Sequence, residues 1–131
     1  MPKPVTVRDY MSASLITFDP DMDILAAINQ LVEKRISGAP VVDRQGNLIG
    51  ILSEKDCLRI ALQASYHGES AGSVRDYMHT GVKTILADAS IADVAAMFLR
   101  DEYRRYPVIQ DNRLVGQISR RDVLKALEAL W

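Results

Sequence analysis

The sequence of 131 residues predicts a mixed α/β (α+β) fold, two pseudo-symmetric β-α-β-β-α repeats packed through their sheets. Three observations lead there. The pentapeptide VRDYM stands at residues 7–11 and returns unchanged at 74–78. At the same offset of 67, Thr17 meets Thr84, Asp21 meets Asp88, Ile24 meets Ile91, Pro40 meets Pro107 and Val41 meets Val108. One residue is then dropped, so that VVDRQGNLIGILSEKD becomes VIQDNRLVGQISRRD. Gly50, Ser53, Asp56 and Leu58 are thereby matched by Gly116, Ser119, Asp122 and Leu124. Self-similarity along nearly the whole chain marks a duplicated structural unit. The repeats cover 7–62 and 74–131, and 63–73 (QASYHGESAGS) is the connection, punctuated by Gly68 and Gly72.

Within each repeat the apolar spacing changes in the same order. VRDYM opens as a short helix, with Val7, Tyr10 and Met11 at i, i+3 and i+4 on one face. LITF in the first copy and VKTI in the second read as extended. An amphipathic helix follows in DMDILAAINQLVEKR, with Ile24, Ala27, Ile28, Leu31 and Val32 expected to face inward. Its counterpart ASIADVAAMFLRDEY uses Ile91, Val94, Ala95, Phe98 and Leu99. APVVD and LIGILS form two strands about a turn at Gly46 and Asn47, and YPVIQ and LVGQIS do the same about Asp111 and Asn112. A last helix begins after Ser53 and after Ser119.

Composition narrows the function. Hydrophobic residues at 48% and charged residues at 25% are the balance of an ordinary soluble globular domain. A net charge of −1 offers no basic excess for general nucleic-acid binding. A single cysteine, Cys57, excludes an internal disulfide and argues against zinc. MPKPVTVRDY lacks the apolar run of a signal peptide, and no window approaches the roughly 20 apolar residues of a membrane span. A soluble, cytoplasmic protein without membrane insertion is expected.

SEKD and SRRD each fit the S-x-x-[DE] capping pattern, with the serine as N-cap and the aspartate three residues on. Taken alone, Asp56 and Asp122 are helix caps worth about 1 kcal/mol each. A helix tip also presents N–H groups and partial positive charge to a phosphate, and a carboxylate beside it can accept from two ribose hydroxyls. The copies differ here. Glu54 and Lys55 fill the first turn in one, Arg120 and Arg121 in the other, where cations oppose the helix dipole. YRRYP adds Arg104 and Arg105 just upstream. These arginines are either a phosphate-binding cluster or an exposed basic patch paired with Asp101 and Glu102.

SGAPVVDRQGNLIGILSEKD and RRYPVIQDNRLVGQISRRD, each preceded by an amphipathic helix and a V-x-D-x-M opening, resemble a tandem pair of CBS domains, a Bateman module. The resemblance implies no catalysis and no required cofactor. It implies a regulatory module that binds AMP, ADP, ATP or S-adenosylmethionine in clefts between the repeats. Carried over by position, the preferred site takes Ser119, Arg121 and Asp122, with Arg105 toward the phosphates and Met11, Leu15, Ile16, Ile36 and Ser37 around the adenine. The second, weaker site takes Ser53 and Asp56 with Met78, Val82, Lys83, Tyr103 and Arg104. Lys83 stands where the first repeat has the apolar Ile16, which departs from a base-packing surface.

Other chemistry-bearing residues point nowhere. His67 and His79 lack a partner at metal-ligand spacing, so no metal is expected. Cys57 reads as a small packed residue, and neither Ser53 nor Ser119 has a histidine at catalytic spacing. In VLKALEALW the leucines read as core and the terminal Trp131 as interface. The resemblance further implies a homodimer and a separate, unknown regulated protein. The alternative is a ligand-free scaffold or dimerisation module, favoured by Lys83 and by the shortened turn.

Overall fold

The structure is a computed structural model that describes residues 5–67 and 72–131, leaving aside the side chains of 64–67. Gly68 and the side chain of His67 therefore lie outside the described residues. In chain order the elements are α1 (Val7–Tyr10), α2 (Ile24–Glu33), β1 (Gly38–Val42), β2 (Leu48–Ser53) and α3 (Glu54–His67). They continue with α4 (Val74–Tyr77), β3 (Ile85–Leu86), α5 (Ile91–Arg100), β4 (Arg105–Gln110), β5 (Arg113–Ser119) and α6 (Arg120–Glu128). This is the mixed α/β arrangement of two β-α-β-β-α-like repeats.

Packing divides the chain differently from its repeat. One compact unit is residues 16–82; the other is residues 83–131 together with the N-terminal segment up to Leu15. Each unit keeps the strands and long helices of one repeat and takes the VRDY helix of the other. Helices of four residues cannot hold themselves together and depend on packing. Val7 and Val74 supply it, each fully buried in the core it has joined.

In the unit of residues 16–82, β1 and β2 pair antiparallel, with Pro40 opposite Ile51 and Val41 opposite Gly50. Of the extended LITF stretch, only Phe18 joins this ladder, through one parallel bridge to Val41. The helix α2 starts at Asp23, whose carboxylate accepts from Ala26 N at 3.1 Å. Phe18, Ile24, Leu31, Val41, Leu52, Ile60 and Val74 make the core. Backbone bonds clip α4 in place: Val74 N donates to Met22 O at 2.9 Å and Arg75 N to Pro20 O at 2.8 Å.

In the other unit the order is β3-β4-β5, with β3 parallel to β4 and β4 antiparallel to β5. Asp111 and Asn112 turn the hairpin with positive φ of 52° and 65°, the conformation that short aspartate and asparagine side chains tolerate best. Ile85, Ile91, Val94, Tyr106, Val108, Ile118 and Val123 form the core with Val7. The clip repeats: Val7 N donates to Ala89 O and Arg8 N to Ala87 O, both at 3.0 Å.

Both helix stripes are narrower than expected. Val32 and Leu99, expected inside, are 71% and 90% exposed. Eight residues past Ile24 and Ile91, a helix of 3.6 residues per turn has turned about 80° beyond two full turns, so these positions leave the buried face. In α6 the same geometry gives the core to Val123 and Ala126, and Leu124 and Leu130, expected as core, are exposed. Trp131 is exposed as well. No helix among the described residues is long and apolar enough to cross a membrane.

The matching Gly50 and Gly116 have a steric cause. A Cβ on Gly116 would lie 2.6 Å from Met11 Sδ and 2.8 Å from Ser12 O. On Gly50 it would lie 2.8 Å from Met78 Sδ and 2.9 Å from His79 O. The chain leaving each VRDY helix runs against these glycines and pairs with the strand: Ser12 with Gln117, His79 with Ile51. The methionine can move aside but the paired carbonyl cannot. Gly116→Ala is therefore expected to cost about 1–3 kcal/mol in urea unfolding followed by circular dichroism; an unchanged midpoint would contradict the close approach.

Candidate functional site

The helix start at Ser119 is built as the capping pattern requires. Ser119 Oγ accepts from Asp122 N at 3.2 Å, and Asp122 Oδ2 accepts from Ser119 N at 2.9 Å. Ser53 and Asp56 repeat the box at 3.2 and 2.9 Å, and Ser53 Oγ also donates to Asp56 Oδ2 at 2.8 Å. In α6 the Asp122 carboxylate is only half-buried and its Oδ1 has no bond among the described residues. One oxygen thus serves the cap while the other faces outward.

The tip of α6 has fewer vacant donors than a free helix end. Arg120 N donates to Arg104 O at 3.2 Å and Asp122 N to Ser119 Oγ, which leaves the Arg121 N–H. The tip therefore offers side chains more than backbone N–H groups. Arg120 is committed, its Nε donating to Tyr103 O at 3.1 Å. Arg104, Arg105 and Arg121 are exposed and form no ion pair among the described residues. The pairing with Asp101 that the exposed-patch alternative entailed does not occur among the described residues. Asp101 is taken by Lys83 at 2.8 Å, with Arg100 at 3.9 Å. Glu102 is exposed and forms no ion pair among the described residues.

Six residues of the preferred set, Met11, Leu15, Arg105, Ser119, Arg121 and Asp122, belong to the unit of α6. Met11 is there because α1 packs on this core, and its thioether lies over Gly116, three residues before the cap. Ile16, Ile36 and Ser37 belong to the unit of residues 16–82. There Ile36 packs on the core, while Ile16 and Ser37 are exposed. Of the second set, Ser53, Asp56, Met78 and Val82 lie in that same unit. Lys83, Tyr103 and Arg104 lie in the other, where Tyr103 packs edge-on against Tyr106 at 5.5 Å.

Lys83 thus has a structural partner rather than a place against a base. Its ammonium donates to Asp101 Oδ2, and Tyr106 Oη donates to the same oxygen at 2.8 Å. The Lys83 hydrogen bond, then that of Tyr106, holds the Asp101 carboxyl below the usual carboxylate range. A depressed carboxylate adds stability above its unfolded pKa that is lost as the pH falls through the folded one.

Sequence reasoning missed a second contact as well. His79 Nδ1 lies 3.0 Å from Asp56 Oδ2, so the histidine read only as lacking a partner at metal-ligand spacing is bonded to a carboxylate 23 residues earlier. The repeat register held a signal, because His79 stands where the first copy has Ser12. Cys57 beside it is buried, and desolvation, followed by the charge of Asp56, pushes its thiol up to about 11. It is a packed residue with little thiolate at neutral pH. No cluster of three potential metal ligands exists among the described residues.

Two matched helix starts, each closed by a serine-aspartate box at the end of a β-hairpin, mark a tandem duplicated α/β module. The chain belongs to the CBS domain family, whose model matches residues 7–63 and 74–129; it is a tandem CBS pair, a regulatory and non-catalytic module. The chain is 33% identical over 125 residues to the uncharacterized protein MJ1225 of Methanocaldococcus jannaschii, covering 95% of this chain and 44% of that one. It thus spans less than half of that relative's length. Among solved structures it resembles CBSX2 in complex with AMP, with a TM-score of 0.78 and 29% identity over 95% of this chain and 97% of that one. CBSX2 comes from Arabidopsis thaliana. The CBS pair of protein MJ0100, solved with 5'-methylthioadenosine and S-adenosyl-L-methionine, matches with a TM-score of 0.70 and 25% identity, covering 94% of this chain and 99% of that one.

Proposed function

We propose that the protein is a regulatory sensor of an adenosyl ligand (AMP, ADP, ATP or S-adenosylmethionine), bound first at the Ser119–Asp122 helix start. The observation that carries this is the Asp122 carboxylate, half-buried and oriented by its cap, with one oxygen uncommitted. That oxygen is suited to accept from ribose hydroxyls. Arg105 and Arg121, exposed and without an ion pair among the described residues, supply phosphate contacts. Met11 and Leu15 give the apolar surface a base needs, with Ile16, Ile36 and Ser37 as the remaining base-contacting residues expected from the family. The solved complexes of CBSX2 with AMP and of MJ0100 with S-adenosyl-L-methionine support the ligand class.

A thermal-shift panel with AMP, ADP, ATP, NAD and S-adenosylmethionine tests the proposal. A ligand bound only by the folded state adds about 2.7 kcal/mol at a hundredfold excess over its Kd. At least one adenosyl ligand is expected to raise the Tm. No shift with any of them at millimolar concentration would favour the ligand-free scaffold.

Self-association belongs to the same proposal. Leu99, Leu124 and Leu127 line a groove of about 560 Å³ along α5 and α6, and exposed Leu130 and Trp131 follow it in sequence. Such an apolar face fits a homodimer interface. The signal then passes to a separate regulated protein in the cytoplasm, through a ligand whose affinity differs between two states of the module.

A further inference from the structure

We propose that His79 occupies the Asp56 helix start and keeps it from taking nucleotide, so that the chain binds one ligand where its duplicated architecture offers two. The inference rests on the adenosyl-ligand function proposed above. Both boxes have the same serine and aspartate, and they differ in what else reaches the carboxylate. Asp56 Oδ2 carries three donors: Ser53 N, Ser53 Oγ and His79 Nδ1, at 2.9, 2.8 and 3.0 Å. Asp122 Oδ2 has only Ser119 N among the described residues.

The ring is delivered by backbone. His79 N donates to Ile51 O and Ile51 N to His79 O, both at 3.0 Å, two residues before Ser53. In the other unit Ser12 makes the same paired bonds to Gln117 at 2.9 Å, but its side chain has no bond to Asp122. A seryl side chain is too short to cover the carboxylate. Asp56 Oδ1, like Asp122 Oδ1, has no bond among the described residues, so a diol bridging both oxygens of Asp56 must displace the imidazole bonded to Oδ2 at 3.0 Å. Hydrogen bonds to charged groups contribute enough that losing this competition weakens a site by roughly tenfold or more.

The test is titration calorimetry with AMP on the full chain. Wild type is expected to bind one AMP per chain. His79→Ser, which copies the residue at Ser12, is expected to bind two, the new site gaining roughly tenfold or more in affinity. His79→Asn keeps a donor near the Nδ1 position and is expected to remain at one, which separates the contact from general loosening. His79→Ser combined with Asp122→Ala is expected to leave one site, at Asp56. Two sites in wild type, or one site in a folded His79→Ser protein, would overturn the inference while leaving the ligand class standing. Absence of AMP heat from every variant, together with no thermal shift from any other adenosyl ligand of the panel, would overturn the sensor function itself, and the inference with it.

Discussion

Tyr106→Ala is expected to cost about 3–5 kcal/mol and to lower the urea midpoint more than any surface substitution. Tyr106, the second residue of β4, is 1% exposed. Its ring packs on Phe98 with centroids 4.6 Å apart and takes Tyr103 edge-on, so truncation opens a large cavity beneath α5. Its hydroxyl reaches Asp101 Oδ2 at 2.8 Å and Met97 O at 3.3 Å, tying β4 to the end of α5. Desolvation, then the bond to Asp101, pushes the phenol up to about 12. Its contribution is therefore present below the ordinary phenol range near 10 and lost as pH climbs through that elevated value. Tyr106→Phe keeps the ring and loses only the hydroxyl, and about 1.5–3 kcal/mol is expected for a bond to a charged partner. Circular dichroism in urea separates the two variants. A Tyr106→Ala protein within 1 kcal/mol of the parent (roughly the smallest loss typical of a core change) would contradict this packing.

Asp122→Ala is expected to weaken AMP binding by roughly 10- to 100-fold, whereas Asp56→Ala leaves the affinity of the same site unchanged. The two carboxylates occupy matched positions and cap matched helices, so a merely structural role would make the substitutions equivalent. They differ in availability, since Asp56 is bonded to His79 and Asp122 is not. Loss of the cap costs about 1 kcal/mol of stability in either variant, so binding is compared well below both melting transitions. Asp122→Asn retains an acceptor for Ser119 N yet lacks the charge, and is expected to bind AMP nearly as poorly as Asp122→Ala. Equal affinities for Asp122→Ala and wild type would remove the ranking of the two sites.

Much of the fold was legible because duplication states each element twice. Strand pairs, turns and caps follow local rules, so VVDRQGNLIG and VIQDNRLVG could be aligned through a one-residue deletion and assigned together. What the repeat does not encode is where a helix of four residues packs. VRDYM begins each copy in sequence, but Val7 is buried with Val108 and Ile118, and Val74 with Val41 and Leu52. A hydrophobic stripe likewise marks a face without its width, which is why Val32 and Leu99 were expected inside.

The site divides along the same line. Ser119 and Asp122 are three residues apart, and their mutual bonds were readable from SRRD. The partners of Lys83 and His79 come from distant parts of the chain, and no local pattern links Lys83 to Asp101 or His79 to Asp56. Lys83 read as a defect in a base pocket; the fold gives it a carboxylate and a tyrosine to complete.

The most direct test is a crystal structure of the protein grown with AMP. Both ribose hydroxyls should lie about 2.5–3.0 Å from the carboxylate oxygens of Asp122, with the phosphate against Arg121 or Arg105. AMP seated elsewhere, with Asp122 making only its bond to Ser119, would contradict the account.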